Sequence, residues 1–186
     1  MSLQEKSVLS AVAAEMETIP GHLGFYYKNL VTGVEFGIRE EEAYLAASVI
    51  KLPLYLHILQ QCAAGNMDME QVLTVTREDK MPSCGALTLF TGDVPVNLRT
   101  LCRLMIVLSD NTATNVLIDR CTVPALQKSF REMGLEKTQL NRKLFDRAAS
   151  RAGIQNYISP REIGSLLELL YKNEFVSPNV CRHAVD

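Results

Sequence analysis

The sequence changes character once, after Tyr44, and this change limits the folds open to it. Before it, residues 24–30 and 34–38 read as two strands around the turn Val31-Thr32-Gly33, which predicts a hairpin. After it, nearly every apolar segment has the spacing of a helix, apart from the short apolar stretch 72–75. Because an isolated two-stranded hairpin is marginal in water, this one needs further structure to pack against.

Helix boundaries are well marked along the rest of the chain. Residues 3–18 carry apolar side chains every fourth residue and predict a helix. Asn97 is expected to cap a helix over 98–108, and Pro124 and Gly134 are expected to begin and end another. Two later helices are predicted from a capping box, Ser159-Pro160-Arg161-Glu162, and from the pair Ser177-Pro178.

Composition predicts one packed domain and argues against several classes of partner. The chain has 186 residues, of which 47% are hydrophobic, and a formal net charge of −2 without long runs of one sign. A nucleic acid or an anionic membrane would need a basic face, so neither is expected as a partner. No apolar stretch approaches the roughly 20 residues of a membrane span.

The cysteines and the first residues bear on the cellular compartment. Five cysteines are scattered without a C-x-x-C pair, so neither zinc nor redox chemistry is expected, and no metal or cofactor is predicted. We interpret them as reduced, partly buried thiols, which suits a reducing compartment. Residues 1–6 lack the pattern of a secretory signal, so no signal is expected here.

Ser48-Val49-Ile50-Lys51 is the first candidate catalytic pattern. Residues three apart share a face of a helix, so the serine hydroxyl and the lysine amine can meet there. A desolvated, neutral lysine can act as the base that makes a serine nucleophilic. Pro53 is tolerated close to a helix start, which places Ser48 at that start. Alone, such a short pattern is more often a helix cap than a catalytic site.

Ser109-Asp110-Asn111 is the second candidate. It forms a short polar turn between two apolar helices, from which side chains can reach a cleft, although a capping role would explain it too. The pair of S-x-x-K followed by S-D-N is the signature of class A β-lactamases and penicillin-binding proteins. No G-x-S-x-G, H-E-x-x-H or P-loop pattern competes with it, and His57 is interpreted as structural.

With both motifs in this order, the chain resembles the class A β-lactamase and penicillin-binding protein superfamily. Residues 46–53 resemble its nucleophile helix, residues 104–115 its S-D-N segment, and residues 159–163 the helix after its Ω-loop. The resemblance implies an α+β fold of the β-lactamase/transpeptidase type. Residues 1–43 would be the helix and hairpin of the α/β part, 44–176 the helical part, and 177–186 the start of a truncated helix. It also implies export from the cytoplasm, against the indication of the cysteines.

The resemblance assigns roles to the site residues. Ser48 would be the acylated nucleophile, with its backbone N–H as an oxyanion donor. Lys51 would help to take the serine proton, and Ser109 would relay a proton to the departing nitrogen. Asn111 would bind the amide of the substrate side chain, while Asp110 would hold the loop. The substrate would be a small-molecule β-lactam or a D-Ala-D-Ala-like peptide, with no cofactor.

The sequence departs from the family at the Ω-loop. The family's β-lactamases place there a glutamate that activates the deacylating water, and in residues 140–146 Leu144 stands at about that position. Asp146 is the nearest carboxylate, two residues on. It is a doubtful base because its reach is short, and an ion pair with Arg142 or Arg147 is expected instead. This departure moves the prediction towards a penicillin-binding or peptidase-like enzyme.

The second departure is that K-[TS]-G, the family's third motif, occurs nowhere in the 186 residues. We therefore expect a truncated form with little or no turnover. Self-association through an uncovered sheet edge is also expected.

Three hypotheses remain open at this point. The first is a serine β-lactam hydrolase, and the second is a D-Ala-D-Ala peptidase-like enzyme that releases β-lactams slowly. The third is a non-catalytic module of the same fold. Labelling by a penicillin separates the third from the others, and the lifetime of the adduct separates the first two.

Overall fold

A computed structural model describes residues 3–82 and 84–185. The helices are α1 (Leu3–Thr18), α2 (Lys51–Ala63), α3 (Leu98–Val107), α4 (Asn111–Cys121), α5 (Val123–Glu132), α6 (Arg147–Arg151), α7 (Pro160–Tyr171) and α8 (Pro178–Val185). The strands are β1 (Phe25–Lys28), β2 (Glu35–Ile38), β3 (Tyr44–Leu45), β4 (Val72–Val75), β5 (Val94–Asn97) and β6 (Tyr157–Ile158). Short 3-10 helices span Ala47–Ile50 and Leu87–Leu89.

Helix α2 is the centre of the hydrophobic core. Leu54, Leu56 and Ile58 on it are completely buried, and it packs against α3, α4, α5 and α8. Apolar side chains on several of its faces explain why helices surround it rather than cover one side. The core therefore lies in the helical part of the chain, beside the segment that carries Ser48.

The predicted hairpin is formed by β1 and β2, which pair antiparallel from Phe25 opposite Ile38 to Lys28 opposite Glu35. One of its faces packs against α7. Gly164 on that helix leaves room for the ring of Tyr26, since a Cβ there would lie 2.5 Å from it. Lys28 Nζ reaches Glu168 Oε2 at 2.7 Å. Among the described residues, side-chain contacts and not a third strand attach the hairpin to α7.

Beyond the hairpin, the expectation that nearly everything after Tyr44 is helical was incomplete. The apolar stretch Val72–Val75 is strand β4, and it pairs antiparallel with β5. Pro95 within β5 argues against a strand in a sheet interior, but a two-stranded ribbon has only edge positions, where proline is tolerated. The two-residue strands β3 and β6 also pair, bringing the chain before Ser48 next to the chain before α7.

Helix α1 matches the predicted residues 3–18 but covers little of its apolar surface. Of these residues Leu9 is buried, whereas Leu3 and Val8 are 87% and 57% exposed. A groove of about 620 Å³ lies between α1 and the hairpin and is lined by Val8, Leu9, Phe25 and Tyr27, among others. The sequence predicted an uncovered sheet edge, and the structure has an open apolar groove beside the hairpin.

The caps follow the sequence signals, with one difference. Asn97 Oδ1 accepts the N–H of Thr100 at 3.0 Å, and Ser159 Oγ accepts that of Glu162 at 3.4 Å. The carboxylate of Glu162 does not complete the capping box. It accepts the backbone N–H groups of residues 136, 137 and 138 at 2.7, 2.8 and 2.7 Å. Three backbone N–H donors in a loop stabilise a carboxylate more than the single N–H of a helix cap does.

The cysteines are present as thiols. Cys102, Cys121 and Cys181 are buried. Burial raises the pKa of Cys102 to about 12 and that of Cys121 to about 11. These two side chains therefore behave as small apolar residues of the core. None of the helices in the described part of the chain is long and apolar enough to cross a bilayer.

Candidate active site

Ser48 lies on the 3-10 helix that leads into α2, not on α2 itself. The sequence predicted that Ser48 begins the helix, whereas α2 begins at Lys51. Ala47 has a positive φ of 43°, a conformation that strains a residue with a side chain. The resulting turn leaves Ser48 exposed, while Ile50 and Lys51 point into the protein.

The amine of Lys51 joins the two motifs. Its Nζ lies 3.2 Å from Ser48 Oγ and 2.8 Å from Ser109 Oγ. It also donates to the backbone oxygen of Ser109 at 2.8 Å and to Asn111 Oδ1 at 3.0 Å. The two hydroxyl oxygens, of Ser48 and Ser109, are 2.9 Å apart. A proton can therefore pass between either serine and the lysine without any backbone movement.

Burial changes the pKa of the Lys51 amine. The residue is 3% exposed, and desolvation lowers the pKa of Lys51 below the ordinary 10.5, partly opposed by Cys84 and Asp110. A lowered pKa increases the share of neutral amine, the form that accepts a proton.

The S-D-N turn is held from within. Asp110 is completely buried. Its Oδ1 caps α4 by accepting the N–H of Ala113 at 2.9 Å, and its Oδ2 accepts the N–H of Leu87 at 3.0 Å. Gly85 approaches this carboxylate so closely that a Cβ would lie 2.2 Å from its carbon. Ser109 adopts a positive φ of 53°, which the buried aspartate after it helps to impose.

The segment that resembles the Ω-loop is fixed by two asparagines. Asn156 Oδ1 accepts the N–H groups of Asn141 and Arg142 at 2.8 and 3.0 Å. Asn115 on α4 accepts the N–H of Leu144 at 2.8 Å and donates to its carbonyl oxygen at 2.9 Å. Neither asparagine was predicted as a site residue. Asn115 was noticed only as the end of the S-D-N segment, and its spacing offered no signal of a contact 29 residues away.

Asp146 does not form the ion pair that the sequence suggested. Its Oδ1 caps α6 by accepting the N–H of Ala149 at 2.9 Å. The guanidinium of Arg142 donates instead to Gln155 Oε1 at 2.7 Å and to the carbonyl oxygen of Ile154 at 3.0 Å. A carboxylate at the residue before a helix satisfies a backbone donor locally, so the nearby charge does not decide its partner.

An open cleft of about 580 Å³ brings these elements together. Ser48, Asn111, Leu144 and Asp146 line it. The cleft also contains Ala47, Cys84, Arg142, Phe145, Arg147, Ser150 and Arg151. The nucleophile motif, the S-D-N turn and the Ω-like segment therefore face one space that is large enough for a small molecule.

None of the three histidines lines the cleft that contains Ser48. His57 is 5% exposed, and burial lowers its pKa, which fits the structural role expected for it. His22 stacks on Tyr44 with ring centroids 5.2 Å apart, and His183 Nε2 lies 3.3 Å from Arg99.

Comparison with known proteins identifies the family. The model of the Beta-lactamase enzyme family matches residues 6–186. The chain belongs to that family. A curated β-lactamase of Rhodobacter capsulatus is 28% identical over 177 residues, which are 93% of this chain and 59% of that protein.

Solved β-lactamase-like structures confirm the α+β fold. A β-lactamase from Sphaerobacter thermophilus superposes with a TM-score of 0.87 at 26% identity, over 95% of this chain and 66% of that one. A leucine-to-glutamate variant of PBP-A, in an acyl-enzyme complex with penicillin G, gives 0.85 at 26% identity, over 96% and 66%. This family member therefore spans about two thirds of the solved relatives and about three fifths of the curated one.

Proposed function

We propose that the chain is a serine acyl-transfer hydrolase that reacts with β-lactams through an acyl-enzyme on Ser48. The observation that carries the proposal is the contact of the exposed Ser48 hydroxyl with the buried Lys51 amine at 3.2 Å, with Ser109 Oγ at 2.8 Å from the same amine. An exposed nucleophile beside a desolvated base, with a second hydroxyl to relay protons, is the arrangement that acyl transfer requires.

The acylation step can be written atom by atom. Neutral Lys51 accepts the Ser48 proton as Oγ bonds to the lactam carbonyl carbon, and the backbone N–H of Ser48 is one donor to the oxyanion. The carbon–nitrogen bond then breaks. Ser109 gives its proton to the departing nitrogen and recovers one from Lys51, which is again neutral. Asn111, on the wall of the same cleft, binds the amide of the acyl side chain.

Slow deacylation is the second part of the proposal. Hydrolysis of the ester needs a base that activates water, and Leu144 is the residue that Asn115 holds against the cleft. The Asp146 carboxylate lines the cleft but is engaged in capping α6. A long-lived acyl-enzyme is therefore expected, which favours the peptidase-like alternative over rapid β-lactam turnover.

Intact-protein mass spectrometry after incubation with benzylpenicillin tests the proposal. A ring-opening acylation expels no fragment, so the protein should gain the whole mass of the penicillin. Ser48→Ala should abolish the adduct, and Ser109→Ala should slow its formation. Ser10→Ala, which removes an exposed serine on α1, is the matched control and should change nothing.

The outcomes separate the hypotheses. An adduct that persists for hours supports slow deacylation, and an adduct that turns over in seconds supports an efficient β-lactamase. An undiminished adduct on the Ser48→Ala protein would place the nucleophile elsewhere, and the absence of any adduct would favour a non-catalytic module.

A further inference from the structure

An excess of positive charge in the cleft has no part in the acylation steps. Arg142, Arg147 and Arg151 all line it, and Asp146 is the single acidic residue among the described residues of the lining. The whole chain has a net charge of −2. The local excess is therefore a property of this cleft and not of the protein surface in general.

Two of these arginines are placed as a pair. Arg147 and Arg151 are the first and last residues of α6, four apart, and so they project from the same side of the helix. Ser150, on that side too, lines the cleft with them. Both arginines are exposed to solvent, so a ligand in the cleft can reach their guanidinium groups.

The protein itself does not neutralise this charge. Among the ion pairs of the described residues, none contains Arg142, Arg147 or Arg151. The neighbouring Lys143 differs, since it is paired with Asp119 at 2.8 Å on the other side of the segment. Arg142 is held by the carbonyl oxygen of Ile154 and the amide of Gln155, which satisfy its N–H groups but leave its charge.

We infer that α6 selects acyl donors whose acyl side chain carries a carboxylate, which Arg147 and Arg151 bind. This inference rests on the proposed function, since it names the substrate class of the same cleft. Asn111 is expected to hold the amide that begins the acyl side chain, and the α6 arginines lie on the wall of that same space. Guanidinium groups match carboxylates in shape and charge. Because the cleft is open, the rest of the acyl side chain can extend into solvent.

The test compares two penicillins that differ by one carboxylate. α-Carboxybenzylpenicillin and benzylpenicillin share the ring carboxylate, so only the side-chain charge distinguishes them. Binding is measured by titration calorimetry with the Ser48→Ala protein, in which no acylation can occur. The carboxylated compound should bind about 10-fold more tightly, a preference that two solvent-exposed charge contacts can supply.

Variants assign the preference to α6. Arg147→Ala combined with Arg151→Ala should remove the preference, because it should weaken the binding of the carboxylated compound about 10-fold more than that of benzylpenicillin. The double change to lysine should retain part of it. Arg131→Ala, which removes an exposed charge on α5 outside the cleft, is the control for net charge and should leave the preference intact.

Each result decides the inference separately from the proposed function. Equal affinities, no measurable binding of the carboxylated compound, or a preference that survives in the double alanine variant would overturn the inference. If Ser48 forms adducts without such a preference, the proposed function stands and the inference fails. If the preference is present and Ser48 forms no adduct, the α6 arginines bind the side-chain carboxylate, but the ligand is not an acyl donor and the proposed function fails.

A peptide acyl donor can carry the same side-chain carboxylate as a β-lactam. N-Succinyl-D-Ala-D-Ala and N-acetyl-D-Ala-D-Ala differ by one acyl-side carboxylate, and titrating both into the Ser48→Ala protein compares this source with the penicillins. A preference for the succinylated peptide that depends on Arg147 and Arg151 extends the inference to peptide donors. A preference limited to the penicillins confines it to β-lactams.

Discussion

Replacing Asn115 by alanine should free the Ω-like segment from the S-D-N helix. The side chain of Asn115 is 5% exposed and makes two hydrogen bonds to the backbone of Leu144, at 2.8 and 2.9 Å. Each contributes about 0.5–1.5 kcal/mol net, so their loss should lower the local opening free energy by about 2 kcal/mol. That corresponds to a change of about 30-fold in the opening equilibrium.

Hydrogen exchange at Leu144 measures this effect directly, since its amide is the donor in one of the two bonds. Under conditions in which exchange reports the opening equilibrium, the Leu144 amide should exchange about 30-fold faster in the Asn115→Ala protein. Urea unfolding should show a smaller loss, because a loop can open without unfolding the domain. Asn115→Asp keeps the acceptor but turns a second oxygen towards the Leu144 carbonyl, so it should open the segment at least as much.

A control and a refuting result complete the experiment. Asn66 donates one exposed hydrogen bond to Gln61 at the end of α2, so Asn66→Ala should leave exchange at Leu144 unchanged. If the Asn115→Ala protein is folded and its Leu144 amide exchanges within about 2-fold of the unmodified protein, the two bonds do not hold the segment. Other contacts, such as those of Asn156, would then be sufficient.

Three other predictions follow from the site and the exposed groove. Gly85→Ala should destabilise the protein by about 2–4 kcal/mol in urea unfolding, because φ is +129° and a Cβ would overlap the Asp110 carboxylate. Gly92→Ala, with nothing within 4 Å, should be neutral. The rate of Ser48 acylation should rise with pH and level off below pH 10.5. The reason is that burial lowers the pKa of Lys51, whose neutral amine is the base. An acylation rate independent of pH would contradict that role. Sedimentation should detect self-association that Val8→Glu weakens, whereas a monomer at every concentration would argue against pairing through the groove.

The sequence predicted those features whose cause is local. Helix α1, the hairpin and the caps at Asn97 and Ser159 depend on neighbouring residues, and the structure has them where expected. The superfamily and the α+β fold were also predicted correctly, from two motifs in a fixed order, and the family match confirms them. The contact between Ser48 and Lys51 follows from a spacing of three residues on a helical turn.

What the sequence did not predict depends on contacts between distant segments. Asn115 and Asn156 are ordinary polar residues until the fold brings Leu144 and Arg142 next to them. Glu162 has the spacing of a capping-box residue, yet its carboxylate accepts backbone N–H groups of a loop more than 20 residues earlier in the chain. The strand β5 contains a proline, so a local criterion rejects it, and its pairing with β4 becomes visible only in the structure.

Three of the seven non-glycine residues with a positive φ in the described part of the chain lie at or beside the cleft. Ala47, Ser109 and Phe145 have φ values of 43°, 53° and 60°, and each residue stands at or beside a wall of the cleft. Positions of this kind cost about 1–3 kcal/mol each, so they persist only where surrounding contacts impose them. Asp110 and Asn115, both buried on α4 or at its cap, provide such contacts for Ser109 and for the backbone just before Phe145.

Helix α4 therefore fixes two of the three walls at once. Asp110, the N-cap of α4, positions the S-D-N turn against Lys51. One turn later, the side chain of Asn115 positions Leu144. Both contacts lie in the helical part of the chain, beside the core around α2, and neither involves α1 or the hairpin. These contacts position the S-D-N turn and Leu144 from within residues 110–144, so we expect the open groove beside α1 to affect stability and association more than the geometry at Ser48.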